Sequence, residues 1–379
     1  MFNIFKTFFW LGWISFGGPA AHIGYFRQTF VEKLKWLDDS DYAQIVALSQ
    51  FLPGPGSSQV GFAVGYKRGG LLGACAAFLG FTLPSILIML ALAIVSSQIT
   101  ETELFQNIVH GLKLLAVVVV ADAILGMYKN FCKEKISISL CLVTAVALLV
   151  LPSIGTQMVV LAIAACIGAR LLRGEDARDN APFKPSIMPL VLFAVLLLGM
   201  PLIASHFPLL ALFNDFFQAG SLVFGGGHVV LPLLQNIVGD QLSQDAFLTG
   251  YAAAQAVPGP MFTFATYIGY ELLPQTPILG ALVATIAVFL PGFLLLLGVL
   301  KNWQSLAQKP MISGAVSGVN AAVVGLLISA LYQPVFTSAV YQPLDFALIL
   351  VGFYLLKQLK LPIIWMVIFF MTAGVISGL

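Results

Sequence analysis

Charge is what this sequence has least of. Asp, Glu, Lys and Arg make up 9% of its 379 residues, against roughly 25% in soluble globular domains. A chain that is 59% hydrophobic, with a mean hydropathy of +0.98, could not cover a water-facing surface, so membrane lipid is its expected solvent. The net charge of +2 and the lack of a basic tract argue against a nucleic-acid partner. Cysteine is sparse as well. Cys75, Cys132, Cys141 and Cys166 are scattered without CxxC or Cys/His spacing, so neither a disulfide framework nor a metal site is expected. No GxSxG, HExxH, Walker or ATP-binding pattern occurs. That points away from an enzyme, implies no cofactor, and leaves an existing gradient or a further partner as the energy source. A cleavable leader is not expected, because the apolar stretch behind Lys6 runs into His22 and Arg27 without a small-residue cleavage pattern.

Long apolar runs are what the sequence has. A bilayer-crossing helix needs about 20 such residues. The runs 71–96, 108–128, 136–151, 156–172, 186–205, 278–300, 311–332, 344–356 and 362–378 are candidates, with 136–151 and 344–356 short for the purpose. Four further apolar stretches are broken: 7–26 by Gly17-Gly18-Pro19, 42–66 by Pro53-Gly54-Pro55, 209–234 by Gly225-Gly226-Gly227, and 246–270 by Pro258-Gly259-Pro260. Proline removes a donor and clashes with the preceding turn. Broken backbone at membrane depth is tolerated only where it is buried in protein or lines a wet cavity. Residues 27–41 are charged and expected along a membrane surface, and 170–185 form the one extended polar linker.

The chain is written twice. Phe16-Gly17-Gly18 matches Phe224-Gly225-Gly226, and Gln50 to Pro55 (QFLPGP) matches Gln255 to Pro260 (QAVPGP). Gly65-Tyr66, Gly73, Pro84, Gly111 and Leu151-Pro152 recur as Gly269-Tyr270, Gly280, Pro291, Gly318 and Leu361-Pro362. The offset drifts only from 204 to 210, and chance does not readily supply so ordered a series.

Lysine and arginine orient the copies. In the first half they flank the broken segments (Lys6, Arg27, Lys33, Lys35, Lys67, Arg68), follow the run 108–128 (Lys129, Lys133, Lys135) and fill the linker, while 97–107 has none. In the second half Lys301, Lys309, Lys357 and Lys360 all sit where the first half has outer loops. Letting 186–205 cross once inverts the second copy and puts these four inside. The expected fold is therefore an all-α integral membrane protein of two inverted-topology repeats, each with broken or re-entrant half-helices. Its parts are a first repeat at 1–172, a cytoplasmic linker at 173–185, a connecting span at 186–205 and a second repeat at 206–379. Nine full spans place the N-terminus in the cytoplasm and the C-terminus outside. A homodimer is plausible on this plan, though no residue pattern specifies it.

The Pro-Gly-Pro turns carry the chemistry. Pro55 suits the first position of a new half-helix. The N–H groups of Gly56, Ser57 and Ser58 then lack an intrahelical acceptor at the positive end of a helix dipole, which is an anion site. The Ser57 and Ser58 hydroxyls and the Gln59 amide add donors, and Gly54 makes the turn. In the second copy Gly259 makes the turn, and Met261, Phe262 and Thr263 replace the serines, so the first copy is expected to hold the anion more directly. The alternative is that both turns only shape a kink. Gly17, Gly18, Gly225 and Gly226 let backbone approach backbone or ligand. His22 and His228 follow these breaks and either bind anion or proton, or tie half-helices together. Lys113 offers a charge to a pathway or snorkels to the surface. Asp122 carries a proton or pairs with another helix. These two lie nine apart, on opposite faces of one helix. Gln50 and Gln255 precede the turns and can cap carbonyls or reach the substrate.

FGGPAAHIGYFR from Phe16 to Arg27, QFLPGPGSSQVGFAVGY from Gln50 to Tyr66, FGGGHVVLP from Phe224 to Pro232 and QAVPGPMFTFATYIGY from Gln255 to Tyr270 resemble the chromate ion transporter (CHR) family in its long, two-domain form. The resemblance covers essentially the whole chain. It implies an inner-membrane secondary transporter that exports chromate and so confers resistance, with sulfate as a related oxyanion and an ion gradient as the driving force. An uncoupled anion channel is the alternative.

Overall fold

The computed structural model describes residues 1–378 apart from 17, 100–102, 173–184, 205, 225–229 and 301–308. Among the described residues every regular element is a helix. The first half gives α1 (Phe2–Ile14), α2 (Gly18–Phe26), α3 (Asp39–Phe51), α4 (Gly56–Ile99), α5 (Glu103–Phe131), α6 (Lys135–Val150) and α7 (Ile154–Leu171). The second gives α8 (Ile187–Ala204), α9 (Pro208–Leu222), α10 (Val230–Val238), α11 (Gln244–Ala256), α12 (Phe264–Leu272), α13 (Pro277–Val299), α14 (Pro310–Ala330), α15 (Pro343–Lys357) and α16 (Ile363–Ser377). Each of the nine expected spans has its helix. Among the described residues five helices are long and apolar enough to cross a bilayer, and the chain is a multi-pass membrane protein. Within the α8 span only 6% of residues are buried, as expected of a helix whose side chains face lipid.

The broken segments 7–26, 42–66 and 246–270 are broken in the structure, and the Gly225-Gly226-Gly227 break of 209–234 lies outside the described residues. The arms α1, α3 and α11 have 13 residues each and α12 has nine, or about 20 Å and less at 1.5 Å per residue. That is short of a hydrocarbon core about 30 Å thick. Inside α4 the helix is interrupted at Gly69 and Gly70, where Gly70 has φ +61°. This separates a half-helix from the span behind it. The two arms then pack back to back, since a Cβ at Gly65 would lie 2.5 Å from the Gly73 carbonyl oxygen. The second copy repeats the device between α12 and α13, with Gly269 set against the Gly280 carbonyl oxygen at the same 2.5 Å.

Contacts group the chain into two compact units that do not follow the sequence halves. One takes residues 1–93, 181–230 and 257–306, and the other takes 94–180, 231–256 and 307–379. Each unit draws on both repeats. In the first, α1 packs on α4 where Gly12 faces the Phe81 carbonyl, and α9 packs on α13 where Gly220 faces the Val288 carbonyl. In the second, the last helix of each repeat packs on the long helix of the other. Gly168 of α7 meets Gly314 and Gly318 of α14, while Gly374 of α16 meets Asn107 and Gly111 of α5. Small residues allow such close backbone approach between helices in lipid.

Candidate anion-binding site

Both Pro-Gly-Pro turns belong to the first unit, and each is held by the other repeat. Gly54 sits at φ +116° and Gly259 at φ +95°, backbone that an L side chain strains to adopt. The Gly54 N–H donates to the Val223 carbonyl at 2.7 Å, and the Gly259 N–H donates to the Ser15 carbonyl at 2.8 Å. Ser15 and Val223 are equivalent positions, each one residue before a Phe-Gly-Gly break. Contacts exchanged in this reciprocal way are the mark of a two-fold relation between repeats.

At the first turn the Pro55 carbonyl accepts the first helical bond, from Gln59 N–H at 2.9 Å. Pro55 is therefore the N-cap residue, one place earlier than the first helical position expected from its missing N–H. The consequence is unchanged: the amides of Gly56, Ser57 and Ser58 have no acceptor in the helix. Ser57, Ser58 and Gln59 are buried. The Ser58 hydroxyl, Gln59 Oε1 and the Ser15 hydroxyl are buried and make no hydrogen bond, an arrangement that costs free energy unless a ligand or water completes it. Gln59 Nε2 donates to the Pro53 carbonyl at 2.9 Å and the Gly292 carbonyl at 3.1 Å, fixing the turn against α13.

His22 is fully buried beside this turn. Its Nε2 lies 3.1 Å from the Ser15 carbonyl and its Nδ1 lies 3.2 Å from Ser57 Oγ. A carbonyl only accepts, so Nε2 carries the hydrogen and Nδ1 accepts from the Ser57 hydroxyl. Both ring nitrogens are thus engaged within the protein, and the imidazole ties the Phe-Gly-Gly break to the half-helix.

The second turn has the same outline, with its side-chain hydroxyls bonded to the protein. Thr263 Oγ1 donates to the Pro260 carbonyl at 2.8 Å, and Ser85 Oγ donates to the Pro258 carbonyl at 2.6 Å. Met261 and Phe262 are buried around it. Side-chain atoms without a partner remain at the first turn, on Ser58 and Gln59, in accord with its richer donor set in the sequence.

The sequence profile of chromate transporters matches residues 2–169 and again residues 210–375. The chain belongs to the chromate transporter family. It is 30% identical over 338 residues to an uncharacterized transporter of Methanocaldococcus jannaschii, covering 86% of this chain and 82% of that one. It is 30% identical to a probable chromate transport protein of Synechococcus elongatus, with 86% and 82% covered. It is 28% identical to a chromate transport protein of Cupriavidus metallidurans, with 84% and 79% covered. No solved structure matches the chain.

In this chromate transporter family member, Gly18, His22, Gly54, Gly56, Ser57, Ser58, Gln59, Gly259 and Thr263 all fall in the first unit. Gln50 does too, but it is exposed. Gly17, Gly225, Gly226 and His228 lie outside the described residues. Lys113, Asp122 and Gln255 belong to the second unit. Gln255 hydrogen-bonds the Tyr251 side chain. Lys113 is buried in an ion pair with Asp245. Asp122 pairs with Lys357 at 2.6 Å, both partly exposed. Sequence reasoning missed Ser15 and Ser85. Each neighbours a residue that the duplication marks, Phe16 in one case and Pro84 in the other, and that adjacency was the available signal. Among the described residues no group of three potential metal ligands occurs.

Proposed function

We propose that this chain carries a tetrahedral oxyanion of the chromate or sulfate type across a bacterial-type inner membrane, and that the dianion binds where the half-helix begins at Gly56. The observation that carries this reading is the buried Ser58 hydroxyl without a partner, beside three amides that the helix leaves free. Amide and hydroxyl donors at a helix N-terminus suit an anion in low dielectric. Relatives named chromate transport proteins support chromate as a substrate. The second turn, with its hydroxyl satisfied and its surroundings apolar, acts as wall rather than ligand.

In this reading the repeats are inverted, with the N-terminus in the cytoplasm and the C-terminus outside, and an ion gradient drives export. Alternating access works around the turns. A rigid separation of residues 1–172 from 206–379 would break both the Gly54–Val223 and the Gly259–Ser15 bonds. The test is uptake of labelled sulfate and chromate by liposomes holding the purified full chain. Saturable uptake of both dianions, each displacing the other while equimolar chloride does not, is the expected result. Chloride competing as well as either dianion would remove the oxyanion assignment.

A further inference from the structure

In the second unit, one buried acid–base pair plays no part in the anion site. His110, on α5 and 9% exposed, places Nε2 3.1 Å from Asp345 Oδ1 at the start of α15, and Asp345 is fully buried. The other carboxylate oxygen accepts the backbone N–H groups of Tyr341 at 2.8 Å and Gln342 at 3.1 Å. A carboxylate accepting on both oxygens puts the imidazole hydrogen on Nε2 and leaves Nδ1 as the open position. The Tyr341 ring stacks on the imidazole at 5.6 Å and 26°, a face that also suits a cationic ring.

The duplication shows that the fold does not require this pair. Helix α15 starts with a capping box formed by Gln342 and Asp345, and α6 starts with the same box formed by Glu134 and Ser137. Serine therefore suffices at Asp345's place. On α14 the position equivalent to His110, by the offset that relates Gly111 to Gly318, is Ser317. Both members of the pair depart from the repeat, and the two departures touch. A local change without structural need is where function is expected.

The other charges of α5 are either paired or exposed at its ends, where Glu103 and Lys129 lie. Lys113, one turn along, pairs with Asp245 of α11, and Asp122 pairs with Lys357 of α15. Helices α14 and α16, also packed on α5, bring no ionisable side chain. The segment Leu331–Phe336 brings only the Tyr332 phenol. In the His110–Asp345 pair a single proton changes the charge of a buried group, from negative with a neutral imidazole to zero with an imidazolium. An uncompensated buried charge is costly, and an ionisable pair among apolar helices marks a functional position.

We propose that His110, oriented by Asp345, is a proton-binding site, and that its occupancy couples oxyanion movement to a proton gradient. The coupling rests on the oxyanion reading above; the proton site does not. One proton passes from a hydronium ion of the aqueous phase to Nδ1: an O–H bond breaks, an N–H bond forms, and a water molecule is left. The imidazolium then sits between the Asp345 carboxylate and the Tyr341 ring.

Two measurements on the full chain separate these claims. The first is the ¹⁵N resonance of the His110 ring, in lipid nanodiscs and without substrate. It is assigned by its loss in His110→Gln and should show Nδ1 gaining a proton as the bathing solution is acidified. Asp345→Ser keeps the capping box of α6 and should alter that response, because the imidazolium loses its countercharge. A ring that does not titrate, or is indifferent to Asp345→Ser, overturns the proton site. The second is accumulation of labelled oxyanion in liposomes with the membrane potential clamped at zero. Wild type should concentrate substrate about tenfold per pH unit for each coupled proton. Asp345→Ser and His110→Gln should exchange substrate across the membrane yet accumulate none. Wild-type accumulation in both variants overturns the coupling. No exchange of any oxyanion by the wild type defeats the oxyanion reading, and the coupling with it, while the resonance still decides the proton site.

Discussion

The amide of Gly54, from the first half of the chain, donates to the carbonyl of Val223, from the second, at 2.7 Å. Its counterpart runs the other way, from Gly259 to Ser15, at 2.8 Å. Each Pro-Gly-Pro turn is therefore shaped locally by its glycine and held in place by the opposite repeat.

Gly54→Ala should destabilise the protein by about 2 kcal/mol or more. The backbone stands at φ +116°, and an added Cβ would lie 2.9 Å from the Gly292 Cα, a backbone atom that cannot swing aside. At Gly259 the obstructing atom is the Ser85 hydroxyl, so Ser85→Ala should recover part of the loss caused by Gly259→Ala. Thermal unfolding in detergent measures both. An unaltered midpoint for Gly54→Ala would show that the turn is not held as described.

Ser58→Ala should separate stability from binding. It removes a buried hydroxyl that has no partner, so stability should hold or rise slightly. If that hydroxyl serves the substrate, affinity for sulfate or chromate should fall about tenfold, which corresponds to about 1.4 kcal/mol. Thr263→Ala, whose hydroxyl is bonded to the Pro260 carbonyl, should leave affinity within about twofold. Equal effects from the two substitutions would contradict the assignment of the first turn.

The Lys113–Asp245 pair predicts an asymmetry. The lysine side chain is 5% exposed and the aspartate side chain 68%. Asp245→Asn leaves a buried ammonium without its countercharge, a loss that costs about 3 kcal/mol or more. Lys113→Met leaves only an exposed carboxylate and should cost much less. Chemical unfolding of both variants decides it, and a larger loss for Lys113→Met would overturn the account.

Inversion of the repeats has a direct readout. Lys133 follows α5, and Tyr341 is close to its equivalent in the second copy. Single cysteines at these positions, in a chain with its four native cysteines replaced, should be labelled from opposite sides of the membrane. Labelling from one side would mean parallel copies.

Much of the fold was legible because lipid imposes simple rules. The spans show as apolar runs, and the breaks show as glycine and proline where no helix continues. The interlaced packing was not legible. Nothing near Gly168 announces that it will meet Gly314, because the contact depends on which helices pack, not on local preference. At the site, the motif residues Gly54, Ser57 and Ser58 stood out, while Ser15 and Ser85 look like ordinary small residues of apolar helices. His110 and Asp345 lie 235 residues apart, and only packing reveals the pair. His22 was open to two readings, and its bonds to Ser15 and Ser57 support the one in which it joins half-helices.

Chromium itself offers the most direct test of the central claim, through the anomalous scattering of chromate bound to the full-length protein. The account predicts one strong peak within hydrogen-bonding distance of the amides of Gly56, Ser57 and Ser58 and of the Ser58 hydroxyl. A peak at the second turn alone, or away from both turns, would contradict it.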